Sequence, residues 1–297
     1  MEAKDSILDI ENPFEEFEKL TERFKLLESR FLAIAMDYKY YMDSEITNNE
    51  IFQLRDSVLF RLYSARFHFQ LLLEYHQRVE QRLSNLHKEI GPSKFFNQSI
   101  DLQRIQSQSV KEIYSLFDSM IYHLCSIYDY LFRLINFTTG NEILQKPKWN
   151  QFRNDKNKKD FPFCSKEMYE SLEKLDKEFV YPLYSHRSHL IHTENETGEF
   201  ILEYFPNGES FIAKFLATDM FKEYFSEISC NKKEITIKYS ALWLIDMTIK
   251  TTTEILFELR EDIIRNKKQN HGLFVSIGDN GKVESPSTNY WGERTNC

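Results

Sequence analysis

From Glu50 to Ile90 the chain carries apolar residues at helical spacing and neither glycine nor proline, until Gly91 and Pro92 end the pattern. A run of that length and period commits the fold to long helices that bury one face against one another. Upstream, Phe14, Phe17, Leu20, Phe24, Leu27 and Phe31 recur at three and four residues behind Pro13, which predicts a second amphipathic helix reaching about Tyr41. The polar stretch at 43–49 separates the two and makes them a helical hairpin.

The pattern continues downstream. A helix is expected from about Leu102 to Phe137, with Ile113, Leu116, Phe117, Met120, Leu124, Ile127, Leu131 and Leu134 on its buried face and Gly140 beyond its end. Another starts near Ser165 and should be bent or restarted by Pro182, which lacks the donor a helix interior needs. On either side of Asn207-Gly208 apolar and polar residues alternate, so a β-hairpin is expected at about 199–216 as the only sheet. A last helix should run from Tyr239 to about Ile264, with fraying after about Lys267. With eight Gly and seven Pro against 25 Phe and 16 Tyr, turn-formers are few and large packing side chains many. The expected fold class is all-α: residues 1–100 as an N-terminal helical extension, 101–266 as a helical bundle with the inserted hairpin, and 267–297 as a flexible C-terminal tail.

A net charge of -8 argues against a protein that coats nucleic acid through bulk charge, while leaving room for a local basic site. The acidic start is unlike a secretory signal, and the longest apolar stretch, around Val58 to Tyr75, is interrupted by Arg61, Arg66 and His68. No membrane association and a cytoplasmic location are therefore expected. Cys125, Cys164, Cys230 and Cys297 form no CxxC pair and suggest neither a zinc knuckle nor a disulfide framework.

Two stretches carry chemistry. Residues 145–160 form a basic run, with Lys146, Lys148, Arg153, Lys156, Lys158 and Lys159 interleaved with Trp149 and Phe152. Such a mixture can hold phosphates while stacking on bases, and Arg153, Lys156, Lys158 and Lys159 are the candidate RNA contacts. The plain alternative is a solvated loop. The second stretch, HRSHLIH at 186–192, places Arg187 and His192 in an R-x4-H spacing. On a helix Ser188 and His192 share a face, whereas Arg187 lies about 140° from His192. One copy makes an awkward active site, and a twofold axis that brings two arginines and two histidines across one cleft resolves it. Those residue types suit metal-independent RNA cleavage. Imidazole, titrating near neutrality, takes the proton from a ribose 2′-hydroxyl or returns one to the leaving oxygen. Arginine offers planar, permanently charged donors to the phosphate as charge develops. The product would carry a 2′,3′-cyclic phosphate, and no cofactor or metal is called for.

The HRSHLIH stretch on a helix after a proline, with the earlier long helix bearing SIYDYLFRLIN, resembles the HEPN superfamily over about residues 103–265. The resemblance implies a compact helical bundle of HEPN type, acting as a homodimer, and a ribonuclease of the sort found in toxin–antitoxin and antiviral defence systems, with a regulatory protein as a further partner. It assigns Arg187 and His192 as the catalytic pair, with Ser126 or Asp129 at the polar position of the preceding helix; Ser188, which could position a phosphate oxygen or orient the imidazole, and His189, which could line the cleft, are read as supporting residues from their own chemistry. The family often has Asn, Asp or His after the arginine, where this chain has Ser188, and the hairpin would be an insertion. Some members with altered motifs are noncatalytic, so the alternative is a HEPN-like module that binds RNA, nucleotide or protein.

Plainer readings stand beside these. His186, His189 and His192 at i,i+3 spacing, with Glu194 and Glu196, would serve as metal ligands only after a bend. The cluster can equally be a polar helix end paired with residues 193–196. Asp129 can be a buried carboxylate bonded to Tyr122 or Arg133, and Ser126 can bond the carbonyl one turn back.

Overall fold

A computed structural model describes residues 7–42, 50–97, 100–139, 148–154, 165–192, 198–206, 210–228, 234–267, 276–277, 283–284 and 288–291. The described chain is mostly helical. In order, its elements are β1 (Ile7–Leu8), α1 (Pro13–Tyr41), α2 (Glu50–Ile90), α3 (Pro92–Phe96), α4 (Ile100–Thr138), α5 (Trp149–Asn154), α6 (Lys166–Leu175), a π-helical turn (Asp176–Val180) and α7 (Tyr181–His192). Then come β2 (Phe200–Phe205), β3 (Ser210–Phe215), α8 (Asp219–Tyr224), β4 (Glu234–Ile235), α9 (Ile237–Arg265), β5 (Ser276–Ile277), β6 (Val283–Glu284) and α10 (Thr288–Trp291). Among the described residues no helix is long and apolar enough to cross a membrane.

The chain forms two compact units. The first takes in residues 1–17, 64–123 and 182–245, the second 18–63, 124–181 and 246–297. Each draws on residues from both sides of position 100.

In the first unit the β-hairpin lies against α2. Strands β2 and β3 pair antiparallel, from Phe200 opposite Phe215 to Phe205 opposite Ser210, and the connecting residues 207–209 lie outside the described chain. The alternation along β3 buries Phe211, Ala213 and Phe215. Phe215 meets His76 of α2 edge-on at 4.8 Å, and Glu80 of the same helix accepts the Ala213 amide at 3.1 Å. The hairpin is not the only sheet: β1 and β4 pair in parallel, and β5 pairs with β6. Two-residue strands carry no alternation that a sequence pattern can register. Asp9, just past β1, accepts the Thr236 hydroxyl at 2.7 Å and pairs with Lys238 at 3.4 Å.

Gly198 enters the hairpin where the Tyr114 hydroxyl donates to the Leu216 carbonyl. A Cβ at this glycine would run into both that carbonyl and that hydroxyl. Gly198→Ala is therefore expected to destabilise the protein by about 1–3 kcal/mol, the usual range for forced overpacking. Urea unfolding measures it, and an unchanged midpoint would show that the β-hairpin shifts freely.

The second unit is built on α4 residues Leu124, Tyr128, Leu131, Phe132 and Ile135, all buried with Phe24, Leu27 and Phe31 of α1 and Ile255, Leu256 and Leu259 of α9. Of the face expected for α4, Leu116 alone is half-buried and the rest is buried. The fourth expected helix starts with Ser165 accepting the Met168 amide at its N-terminus. Its backbone then widens into the π turn and resumes α-helical geometry at Tyr181, one residue ahead of Pro182. The missing proline donor and the π turn are both recognised causes of a break in the α ladder.

Trp291 falls in the stretch expected to fray, yet it is buried in this unit. Its indole nitrogen donates to Asp37 at 2.7 Å, and its carbonyl accepts from Arg30 at 3.1 Å. Arg260 lies over its ring, 4.8 Å from the centroid.

Candidate functional site

The last turns of α7 alternate between core and solvent. His186 is buried, Arg187 and His189 are half-buried, and Ser188 and His192 are exposed. Helical geometry makes this unavoidable, because successive residues are turned by about 100°. Arg187 reaches sideways and places its guanidinium over the ring of Tyr122 on α4, 4.8 Å from the centroid. Its Nε is buried and has no hydrogen-bond partner among the described residues. The guanidinium is thus held by a ring face, and its planar fork carries further N–H donors besides Nε.

His186 has a different setting. Phe221, Tyr224 and Phe225 surround it at centroid distances of 5.3, 5.8 and 5.8 Å. Burial, and secondarily the neighbouring His189, pull its pKa down to about 4. It is therefore a neutral core residue near pH 7, turned away from solvent, and this orientation breaks the H-x2-H-x2-H set as a group of metal ligands. The unfolded chain takes up a proton here near pH 6.5 and the folded chain only near 4, so stability falls as pH drops through that interval. His76, buried beside Phe215 and also lowered by burial and by Lys238, acts with the same sign. His186→Leu is expected to flatten the loss of stability between pH 6.5 and 4. Urea unfolding across that range tests this, and an unaltered slope in the variant would exclude His186 as a source.

The remaining candidates lie in the second unit or outside the described residues. Asp129 is half-buried and accepts the Trp149 amide at 3.0 Å, so one of its oxygens holds the start of α5. Ser126 is half-buried on the same helix. The basic run behaves differently from expectation where it is described. Trp149 and Phe152 are buried core residues of α5 and offer no face to a base. Arg153 is tied to Asp176 at 2.9 Å, which also accepts the Trp149 indole at 2.6 Å. Arg153, expected as an RNA contact, is thus engaged by a carboxylate of the protein itself. Lys156, Lys158 and Lys159, like Glu194 and Glu196, lie outside the described residues.

Tyr122 was not among the expected site residues. A signal for it existed, since Tyr122 sits at helical spacing with Ser115, Ser119, Ser126 and Asp129, an aromatic on an otherwise polar stripe. Its arginine partner on a distant helix left no trace in sequence.

No family model, curated protein or solved structure matches the chain. The functional reading accordingly rests on the residues themselves. Among the described residues no group of three or more His, Cys, Asp or Glu side chains is placed to hold a metal ion.

Proposed function

We propose that this protein is a metal-independent endoribonuclease of HEPN type, with Arg187 and His192 as its catalytic pair and a homodimer as its working form. The observation that carries the reading is Arg187, held over Tyr122 with a buried Nε that no described residue accepts. His192 supports it by lying exposed on the same helix, where an imidazole can meet a ribose. Because the two side chains diverge by about 140° on one helix, a second copy is required to complete the site.

In this reading the imidazole of one His192 removes the proton from a ribose 2′-hydroxyl. The 2′-oxygen then bonds to the adjacent phosphorus as the bond to the 5′-oxygen breaks, and the second subunit's equivalent imidazole protonates that leaving oxygen. Arg187 hydrogen-bonds the phosphate oxygens, whose charge grows in the transition state. Ser188, exposed one turn before His192, is positioned to orient the imidazole or a phosphate oxygen.

The test is cleavage of a mixed, end-labelled RNA pool by the purified protein in EDTA, beside His192→Ala and Arg187→Ala. Fragments ending in 2′,3′-cyclic phosphate from the parent alone are expected. Cleavage that survives both substitutions would remove these residues from the site. RNA left intact by all three would favour a noncatalytic binding module.

A further inference from the structure

Trp291 sits in the second unit among more charge than the burial of an indole requires. Arg30 and Asp37 lie two helical turns apart on α1, and Thr253, Phe257 and Arg260 recur at four and three residues on α9, so each helix offers one face to the tryptophan. Together they read its distinguishing groups. The indole N–H donates to the Asp37 carboxylate at 2.7 Å, and the main-chain carbonyl accepts from Arg30 Nε at 3.1 Å. The ring centroid is 4.8 Å from the Arg260 guanidinium and 5.2 Å from that of Phe257. Indole gives a cation the best face of any side chain and carries a donor with no acceptor, which suits a carboxylate. The carbonyl contact requires in addition that the ring belong to a peptide chain. Tyr290, beside it in α10, is 41% exposed, so among the described side chains of that element the hold falls on the tryptophan.

We infer that this face of α1 and α9 is a tryptophan-recognition site, held by the chain's own residues 288–291 and able to exchange them for a tryptophan-bearing segment of another protein. Two features favour exchange over a permanent core contact. The walls are joined without the tryptophan, since Asp37 pairs with Arg260 and Arg30 donates to Thr253, each at 3.2 Å from one helix to the other. Charged groups are also costly as packing, because burial strips them of water, and water serves them again once the ring withdraws. An apolar slot has no such second state. The segment now seated defines the occupant. Its main-chain carbonyl sets it apart from free indole, and its ring N–H sets it apart from phenylalanine. Neither Arg187 nor His192 takes part, so the site does not depend on the nuclease reading.

The experiment adds a synthetic peptide of residues 283–296 to the full-length Trp291→Ala protein, whose site lacks its ring, and measures binding by calorimetry. A buried hot-spot tryptophan favours the closed form roughly 10²- to 10³-fold, and an attached segment acts at an effective concentration of about 1 mM, so the expected Kd is roughly 1–10 µM. The same peptide with alanine in place of its tryptophan should not bind. Adding Asp37→Asn to the protein should weaken binding roughly 10- to 100-fold, the worth of a hydrogen bond to a charged group. Thermal unfolding of each variant separates lost contact from lost fold. The parent supplies a second measurement that needs no destabilised variant. The chain has three tryptophans, so the 5-fluorotryptophan-labelled protein gives three fluorine resonances, and that of Trp291 is the one absent from Trp291→Phe. It should move toward its solvent-exposed position as the peptide reaches millimolar concentration. No binding to folded Trp291→Ala at millimolar peptide, or binding that survives loss of the peptide's tryptophan, overturns the site. A Trp291 resonance that millimolar peptide leaves in place overturns the exchange.

Discussion

Asp37→Ala is expected to destabilise the protein by about 3–5 kcal/mol, because it removes a fully buried carboxylate, strips the counter-charge from the half-buried Arg260 and leaves the Trp291 indole N–H without its acceptor. Asp37 is fully buried, pairs with Arg260 at 3.2 Å and accepts the indole N–H of Trp291 at 2.7 Å. The same knot contains Arg30, which is 1% exposed, donates to the Trp291 carbonyl and to Thr253, and lies over the Phe257 ring at 5.2 Å. Removing the carboxylate therefore leaves the Trp291 indole without its acceptor and Arg260 without this counter-charge. Trp291→Ala should show a similar loss, on the order of 3–5 kcal/mol for a large buried aromatic. Since the two side chains share one hydrogen bond, the double variant should lose less than the sum of the two. Urea unfolding of the three variants measures this. A loss below about 1 kcal/mol for Asp37→Ala would mean that the C-terminal residues are not held by this contact.

His192→Ala and Arg187→Ala are each expected to lower RNA cleavage by about 10²- to 10⁴-fold, the range for removing a positioned acid–base group or a donor to developing charge. Both act on the same transition state, so the double variant should fall little below the weaker of the two. The dimeric arrangement adds a sharper expectation. If a cleft needs an arginine and a histidine from each copy, a mixture of the two inactive single variants should not regain parental activity, because every heterodimeric cleft still lacks one of each kind. Arg187→Lys keeps the charge but loses the planar fork, and it should recover only part of the rate. Single-turnover rates on one RNA substrate measure all of these. Folded variants that cleave at the parental rate would sink the assignment.

The long helices were readable because their signal is repeated. α1 and α2 begin and end at the residues where the apolar period starts and where the polar break or Gly91-Pro92 stops it. The β-hairpin was readable for the same reason at a period of two. Elements of five or six residues, such as α3, α5 and α8, hold too few turns to show a period, and none was expected. The consequence is clearest at Trp149. Between lysines it reads as a stacking residue in a basic loop, but Tyr128 and Phe132 of α4 pack against its ring, and Asp129 and Asp176, 20 and 27 residues away, accept its backbone and indole N–H groups. Arg153 follows it inward for the same reason, through Asp176.

At the candidate site the division is finer. The R-x4-H spacing, the helix that carries it and the angle between its two side chains follow from sequence and helical geometry alone. Which of the three histidines faces solvent does not. His186 is buried because Phe221, Tyr224 and Phe225 from a later segment close around it, while His192 stays exposed at the helix end. Likewise the polar stripe on α4 was visible, but its pairing with Arg187 through Tyr122 depends on two helices meeting. Local period and stereochemistry act over a few residues, so the sequence by itself determined the helices, their ends and their amphipathic faces. Which side chains are buried, matched or left open depends on groups brought from far along the chain, and only tertiary packing decided that.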